Sequence, residues 1–197
     1  MSVPTRDESA AILASLITKQ KLINHLSATA EVCAFMCADL QKNGIEVKSD
    51  LAEGAALLHD IDKGLRLDDP YRALGHGAAG AQWLIDHGHE ELADPVRDHP
   101  VTFIANADSY KGWAATQSLE AKLVAFADKR ALQDIVSLEE RFERWFKRYP
   151  DSPTEPIAYE RYQKLERDLC EMADVAPNKV KRLPWVEAAL AVARVSE

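Results

Sequence analysis

Three cysteines among 197 residues leave no framework of disulfides to read. Cys33 and Cys37 stand four apart, which on a helix places them on one face. No further close ligands accompany them, so small buried core residues describe them better than a thiolate metal site. The odd thiol count fits a reducing compartment, and the opening MSVPTRDESAAI is acidic where a secretory signal would be basic and then apolar. The expected setting is therefore cytoplasmic. Long apolar runs are missing too: none approaches the roughly 18–20 residues that a membrane span requires.

Positive charge is in deficit, with 24 Lys+Arg against 32 Asp+Glu and a net charge of -8. Binding along a nucleic-acid backbone needs clustered Lys and Arg to neutralise phosphates. Here only short basic stretches occur, such as Lys179, Lys181 and Arg182. Nucleic acid is thus disfavoured as a partner, whereas a small phosphorylated substrate held by a few residues is not. Alternating β-branched runs of convincing length, internal repeats and low-complexity tracts are likewise wanting, so the expected class is all-α.

What is present is a succession of amphipathic segments. Thr5-Arg6-Asp7-Glu8 is a capping-box signature ahead of the first helix. Further helices are expected over 22–42, ending at Asn43-Gly44, and over 50–58, 76–87, 90–98, 118–135 and 138–149. Residues 105–116 read as loop or broken helix. Pro150, Pro153 and Pro156 make the one conspicuous break. We therefore expect a helical core with its N-terminal helix over 1–149. A helical extension over 150–197 would pack on that core rather than stand alone, either capping the domain or serving a homodimer. Helices are expected there over 157–173 and 184–195.

Several polar residues sit where apolar ones belong. His25 shares a stripe with Leu22, Thr29, Cys33 and Met36. His59 and Asp60 follow the apolar run AALL, and Asp128 lies inside KLVAFADKRAL. A buried carboxylate costs several kcal/mol unless it finds a cation or good donors. His99 follows Leu92 and Val96, and His76 opens a segment whose inner face is small. His87 and His89 flank Gly88 in a polar turn and serve as the contrast, read as solvated loop residues. Singly, a core histidine is more often satisfied by a backbone carbonyl than by a metal. Six such imidazoles and carboxylates on successive helices suit iron, manganese, zinc, nickel or cobalt.

The order His25, His59-Asp60 in LLHDIDKG, His76, His99 and Asp128 resembles the HD-domain superfamily of metal-dependent phosphohydrolases, over about residues 20–135. The resemblance implies an HD-type helical bundle with additional C-terminal helices. It implies that His25, His59, Asp60 and Asp128 hold one divalent metal, and that His76 and His99 hold a second, with Asp60 bridging. Iron, manganese, cobalt, nickel or zinc would serve, and magnesium is open. The reaction would be metal-assisted hydrolysis of a nucleotide or other small phosphate ester, with Asp60 and Lys63 as catalytic groups. Lys63 and Arg66 are the candidates for the substrate phosphate, each with a solvated alternative. Lys129 and Arg130 point either at that phosphate or at solvent. Asp62 stands where many relatives have glycine. Pro100 stands where some binuclear relatives have a second histidine, which counts against cyclic-dinucleotide chemistry. The alternatives are an HD-type di-iron oxygenase, which would use the same ligands, and a non-catalytic metal- or nucleotide-binding regulatory module, from which loss of a ligand would be expected.

Overall fold

Thr5 begins the helical architecture as its capping box predicts. Its hydroxyl accepts from Glu8 N–H, and the Glu8 carboxylate accepts from Thr5 N–H at 2.7 Å. In the computed structural model, residues 3–195 are described. Residues 1–2 and 196–197, the outer ends of the two expected units, lie outside the described residues. The chain runs through α1 (Arg6–Leu16), α2 (Gln20–Lys42), α3 (Ser49–Leu58), α4 (Ala78–Asp86), α5 (Ala93–Asp98), α6 (Val101–Ala105), α7 (Ala107–Thr116), α8 (Leu119–Lys129), α9 (Leu138–Arg148), α10 (Thr154–Met172) and α11 (Val186–Val195). Among the described residues there is no named strand, and the class is all-α. No helix there is long and apolar enough to cross a membrane.

The centre is a packed group of α2, α3, α5 and α8. Leu26, Cys33, Met36 and Leu40 of α2 meet Ala55, Leu57 and Leu58 of α3, with Leu123 and Phe126 of α8 in the same core. Small residues let α3 approach its neighbours closely: a Cβ on Gly54 would lie 3.0 Å from Ser9 Oγ of α1. Each fully buried Leu or Phe here contributes roughly 1.5–3 kcal/mol relative to exposure. All three cysteines are buried and free.

Helix α8 stops at Lys129, short of the expected 135. Val136 N–H donates to Arg130 O at 2.8 Å, and Leu132 N–H to Asp134 O at 2.9 Å, so the chain turns back on itself. Arg130 holds this turn by donating to Val136 O and to Glu166. The consequence is functional, because the turn presents Leu132 O to the site described below. Residues 105–116, expected as loop or broken helix, are helix broken at Asn106: α6 ends at Ala105 and α7 begins at Ala107, with the Asn106 side chain accepting from Ser109 N–H as N-cap.

The C-terminal helices pack on the core. Phe142 of α9 is buried against Tyr159 and Tyr162 of α10. Helix α11 lies on α1, and its start is fastened by Glu31 of α2. That carboxylate, 2% exposed, accepts from the N–H groups of Trp185 and Val186 and from Arg182.

Candidate metal centre

Four imidazoles and two carboxylates from separate elements converge at the middle of this bundle. His25 comes from α2, His59 ends α3, and Asp60 opens the 3-10 turn Ile61–Gly64. His76 lies in the loop before α4, His99 ends α5, and Asp128 sits on the inner face of α8. Gly77, beside His76, has φ +81°, and a Cβ there would lie 2.7 Å from Arg97 O. Only glycine allows that close return of the loop.

Backbone carbonyls orient three of the rings. His25 Nδ1–H donates to Leu132 O at 3.1 Å, His59 Nδ1–H to Ala56 O at 2.7 Å, and His99 Nδ1–H to Val96 O at 2.6 Å. Each neutral ring therefore carries its lone pair on Nε2, pointing inward. His76 is fixed differently: its Nδ1 lies 3.1 Å and 3.3 Å from the two Asp62 carboxylate oxygens. Such an arrangement, a second group holding the far nitrogen of each ring, is typical of metal-ligating histidines.

The inward Nε2 atoms face one another in pairs. His25 and His59 are 3.2 Å apart, as are His76 and His99. Two lone pairs at that distance repel unless a proton or a cation lies between them. Ligands sharing one ion at about 2.1 Å are typically ~3.0–3.4 Å apart, so the spacing fits a metal. Asp128 Oδ1 completes the first pair, 3.3 Å from His25 Nε2 and 3.6 Å from His59 Nε2. Asp60 spans both. Its Oδ2 is 3.7 Å from His25 and from His59 Nε2, while its Oδ1 is 3.3 Å from His76 and 3.7 Å from His99 Nε2. Asp60 Oδ1 is buried without any hydrogen-bond partner. An orphaned carboxylate oxygen among inward imidazole nitrogens is what a divalent cation satisfies, and the groups His25/His59/Asp128 and His59/Asp60/His99 could each hold one.

The electrostatics agree. Burial pushes Asp60 upward, but His59, His99 and Lys63 outweigh it and hold the carboxyl well below its usual range. Burial likewise acts on Asp128 and is outweighed by Lys129, His25 and His59. Both acids are thus ionised at neutral pH. Burial pushes His99 down to about 4, leaving it neutral and ready to ligate. For His59, burial is outweighed by Asp60 and Asp128, and its pKa rises.

A pH prediction follows for the metal-stripped protein. Unfolded, His99 takes up a proton near 6.5, whereas folded it refuses one until about 4. Stability should fall as pH drops across that window. The contribution of Asp60 and Asp128 is lost only below the ordinary carboxylate range, and the smaller His59 contribution runs the other way, lost as pH rises. Thermal melts between pH 7 and 4.5 check this, with a flat profile contradicting it.

Above the centre opens a cavity of about 320 Å³, bordered by His25, Asp60, His76 and Asp128 and by residues from α9 and α10. Lys63 borders it too, half exposed and paired with Asp60 Oδ2. Arg66 does not reach it; its side chain is 84% exposed and paired with Asp68. Lys129 is 2% exposed, paired with Asp128, with its Nζ donating to His99 O at 3.3 Å. Arg130 faces neither phosphate nor solvent but Glu166. A larger cavity, about 550 Å³, lies between α2 and the C-terminal segment and touches none of the six.

Asp62, Arg141 and Trp145 were not singled out as site residues from sequence. Asp62 reads as part of a charged loop. Arg141 and Trp145 look like an ordinary helix surface, although their i, i+4 spacing beside Leu138 and Phe142 was a usable sign that they share one face. His87 donates to Trp83 O and stacks on Trp83 away from the centre. His87→Ala should therefore leave metal content at the wild-type level, as measured by metal analysis of the purified protein.

A model of the HD domain family matches residues 22–132, a span that contains all six residues. Comparisons with curated proteins and with solved structures return no match.

Proposed function

The chain belongs to the HD domain family, and from that premise we propose that it is a metal-dependent phosphohydrolase acting on a nucleotide or other small phosphate ester. The observation that carries this reading is the pair of inward Nε2 sets bridged by the orphaned Asp60 carboxylate. His25, His59, Asp60 and Asp128 would hold one ion, and Asp60, His76 and His99 a second. Bound there, divalent metal supplies Lewis acidity and an activated water for in-line displacement at phosphorus.

The chain's own groups do the rest. Asp60 sets the separation of the two sites by offering one oxygen to each. Lys63, tethered to Asp60 at the cavity floor, binds a phosphoryl oxygen as a point charge. Arg141 reaches within 3.7 Å of Asp128 Oδ1 while bordering the cavity, so its guanidinium is placed to orient the phosphate. Lys129, buried at the cavity wall, is turned to Asp128 and offsets its charge. Arg66, outside the cavity, takes no part in this arrangement.

Asp62 positions His76 by holding its Nδ1. Asp62→Gly should weaken metal retention by about 10- to 100-fold, the usual effect of losing the group behind a metal-bound histidine. Titration of the stripped protein with manganese or cobalt measures it. Unchanged affinity would remove Asp62 from the site. The reaction itself is tested by phosphate release from nucleotides and simple esters after stripping and reloading with magnesium, manganese, cobalt, nickel or ferrous iron. Release that depends on metal supports the hydrolase. Silence across the panel from a protein that binds metal overturns it.

A further inference from the structure

One wall of the cavity, formed by Arg141, Trp145, Tyr149 and Glu155, comes from outside the span that matches the family. Arg141 and Trp145 of α9 and Tyr149, the residue that caps its C-terminus, stand at intervals of four, so this face runs outward from Asp128 for about 12 Å. Arg141 stacks on Trp145, its guanidinium carbon 4.6 Å from the ring centroid. Glu155, in the first turn of α10, borders the same space. Its Oε2 is buried with no hydrogen-bond donor, and among the described residues no cation lies within ion-pair distance of it.

That carboxylate is out of place in a site built only for anions. The cavity's three cations are already turned inward, Lys63 to Asp60 and Lys129 and Arg141 to Asp128. The phosphate end of a ligand is thus provided for at the centre. What remains is Glu155 Oε2, an acceptor without a donor, and Arg141 Nε, a buried donor without an acceptor, in the cavity that Trp145 and Tyr149 also border. A buried acceptor left unsatisfied is destabilising, more so when charged. A hydroxyl or amine on the ligand would satisfy it, and a second phosphate would be repelled. The volume, about 320 Å³, is at the small end of ligand pockets, roughly 300–1,000 Å³.

We propose that this wall is a subsite for the uncharged, donor-bearing alcohol of a phosphate monoester, a nucleoside being the type, and that Glu155 recognises its hydroxyl or amine. The proposal rests on the hydrolase reading for its phosphate but not for its nucleoside. The enzyme then prefers nucleoside monophosphates to diphosphates, because the outer end of the cavity rejects added negative charge.

The test uses the full-length protein with Glu155→Leu, which removes acceptor and charge, and Glu155→Gln, which keeps an acceptor oxygen and removes the charge. The substrates are the four ribonucleoside 5′-monophosphates, their diphosphates and 4-nitrophenyl phosphate. In Glu155→Leu, the kcat/KM ratio of monophosphate to 4-nitrophenyl phosphate should fall about 10- to 100-fold, carried mainly by KM. Glu155→Gln should recover most of that ratio while losing the preference for mono- over diphosphate. Independently of turnover, calorimetry on metal-stripped protein should show the parent ribonucleosides binding, and binding more weakly to Glu155→Leu. Equal losses on all substrates would mean that Glu155 merely supports Arg141, and would overturn the proposal. So would a wild-type preference for diphosphates, or hydrolysis without nucleoside binding. Nucleoside binding that depends on Glu155, without phosphate release under any metal, would uphold the subsite and overturn the hydrolase.

Discussion

Asp60→Ala is expected to remove metal and activity together, lowering kcat/KM by roughly 1,000-fold or more, the size of losing several kcal/mol of charge stabilisation. Among the described residues, Asp60 alone pairs with both imidazole sets: its Oδ2 points at His25 and His59, its Oδ1 at His76 and His99. Truncation would also release Lys63 from its ion pair, so the cation proposed to bind phosphate would lose its tether at the same time. Asp60→Asn separates these effects. The amide keeps the shape and one oxygen but loses the charge, so retained metal should fall further than thermal stability does. Metal analysis, phosphate release and a melt on the same preparations provide the comparison. Wild-type metal content in Asp60→Ala would remove Asp60 from the ligand set and overturn the bridged arrangement. His87→Ala, carried alongside, separates a specific loss from a general effect of removing histidines.

Much of this site was readable because burial makes polar residues conspicuous. His59, Asp60 and Asp128 each interrupt an apolar periodicity, and each proves almost fully buried. The all-α class followed from helical spacing and from the capping box at Thr5, both local properties of the chain. What escaped was whatever depends on distant segments meeting. Leu132 O orients His25 only because α8 ends at Lys129 and the chain turns back, whereas the apolar periodicity through Ile135 suggested a longer helix. Asp62 holds His76 across a 14-residue separation, so nothing near either residue announces the pair. Glu31 lies in the middle of a helix that otherwise buries apolar residues, and its partners are about 150 positions away at Arg182, Trp185 and Val186. The α9 wall was hidden for another reason. Helix α9 is rich in charge, and a charged helix face reads as solvated until the cavity beside it is known.

Lys129→Met should destabilise the metal-stripped protein by about 3–5 kcal/mol, the usual consequence of removing one partner of a buried ion pair. Lys129 is 2% and Asp128 4% exposed, so neither water nor salt can screen what is left behind. The ammonium also donates to His99 O and lies 5.5 Å and 5.4 Å from the ring centroids of Trp145 and Tyr162. Burial lowers the pKa of Lys129, and Asp128 works against that fall. Methionine fills nearly the same volume, which leaves the charge as the main change. On the proposed assignment, a metal ion beside Asp128 takes over part of that neutralisation. The difference in melting temperature between variant and wild type should therefore be large when stripped, on the order of 10 °C, and shrink once manganese or cobalt is restored. A gap that stays the same with and without metal would show that Lys129 acts by packing on Trp145 and Tyr162, and that Asp128 does not share its charge with an ion. The direction of that change ties the buried ion pair to the metal centre without any knowledge of the substrate.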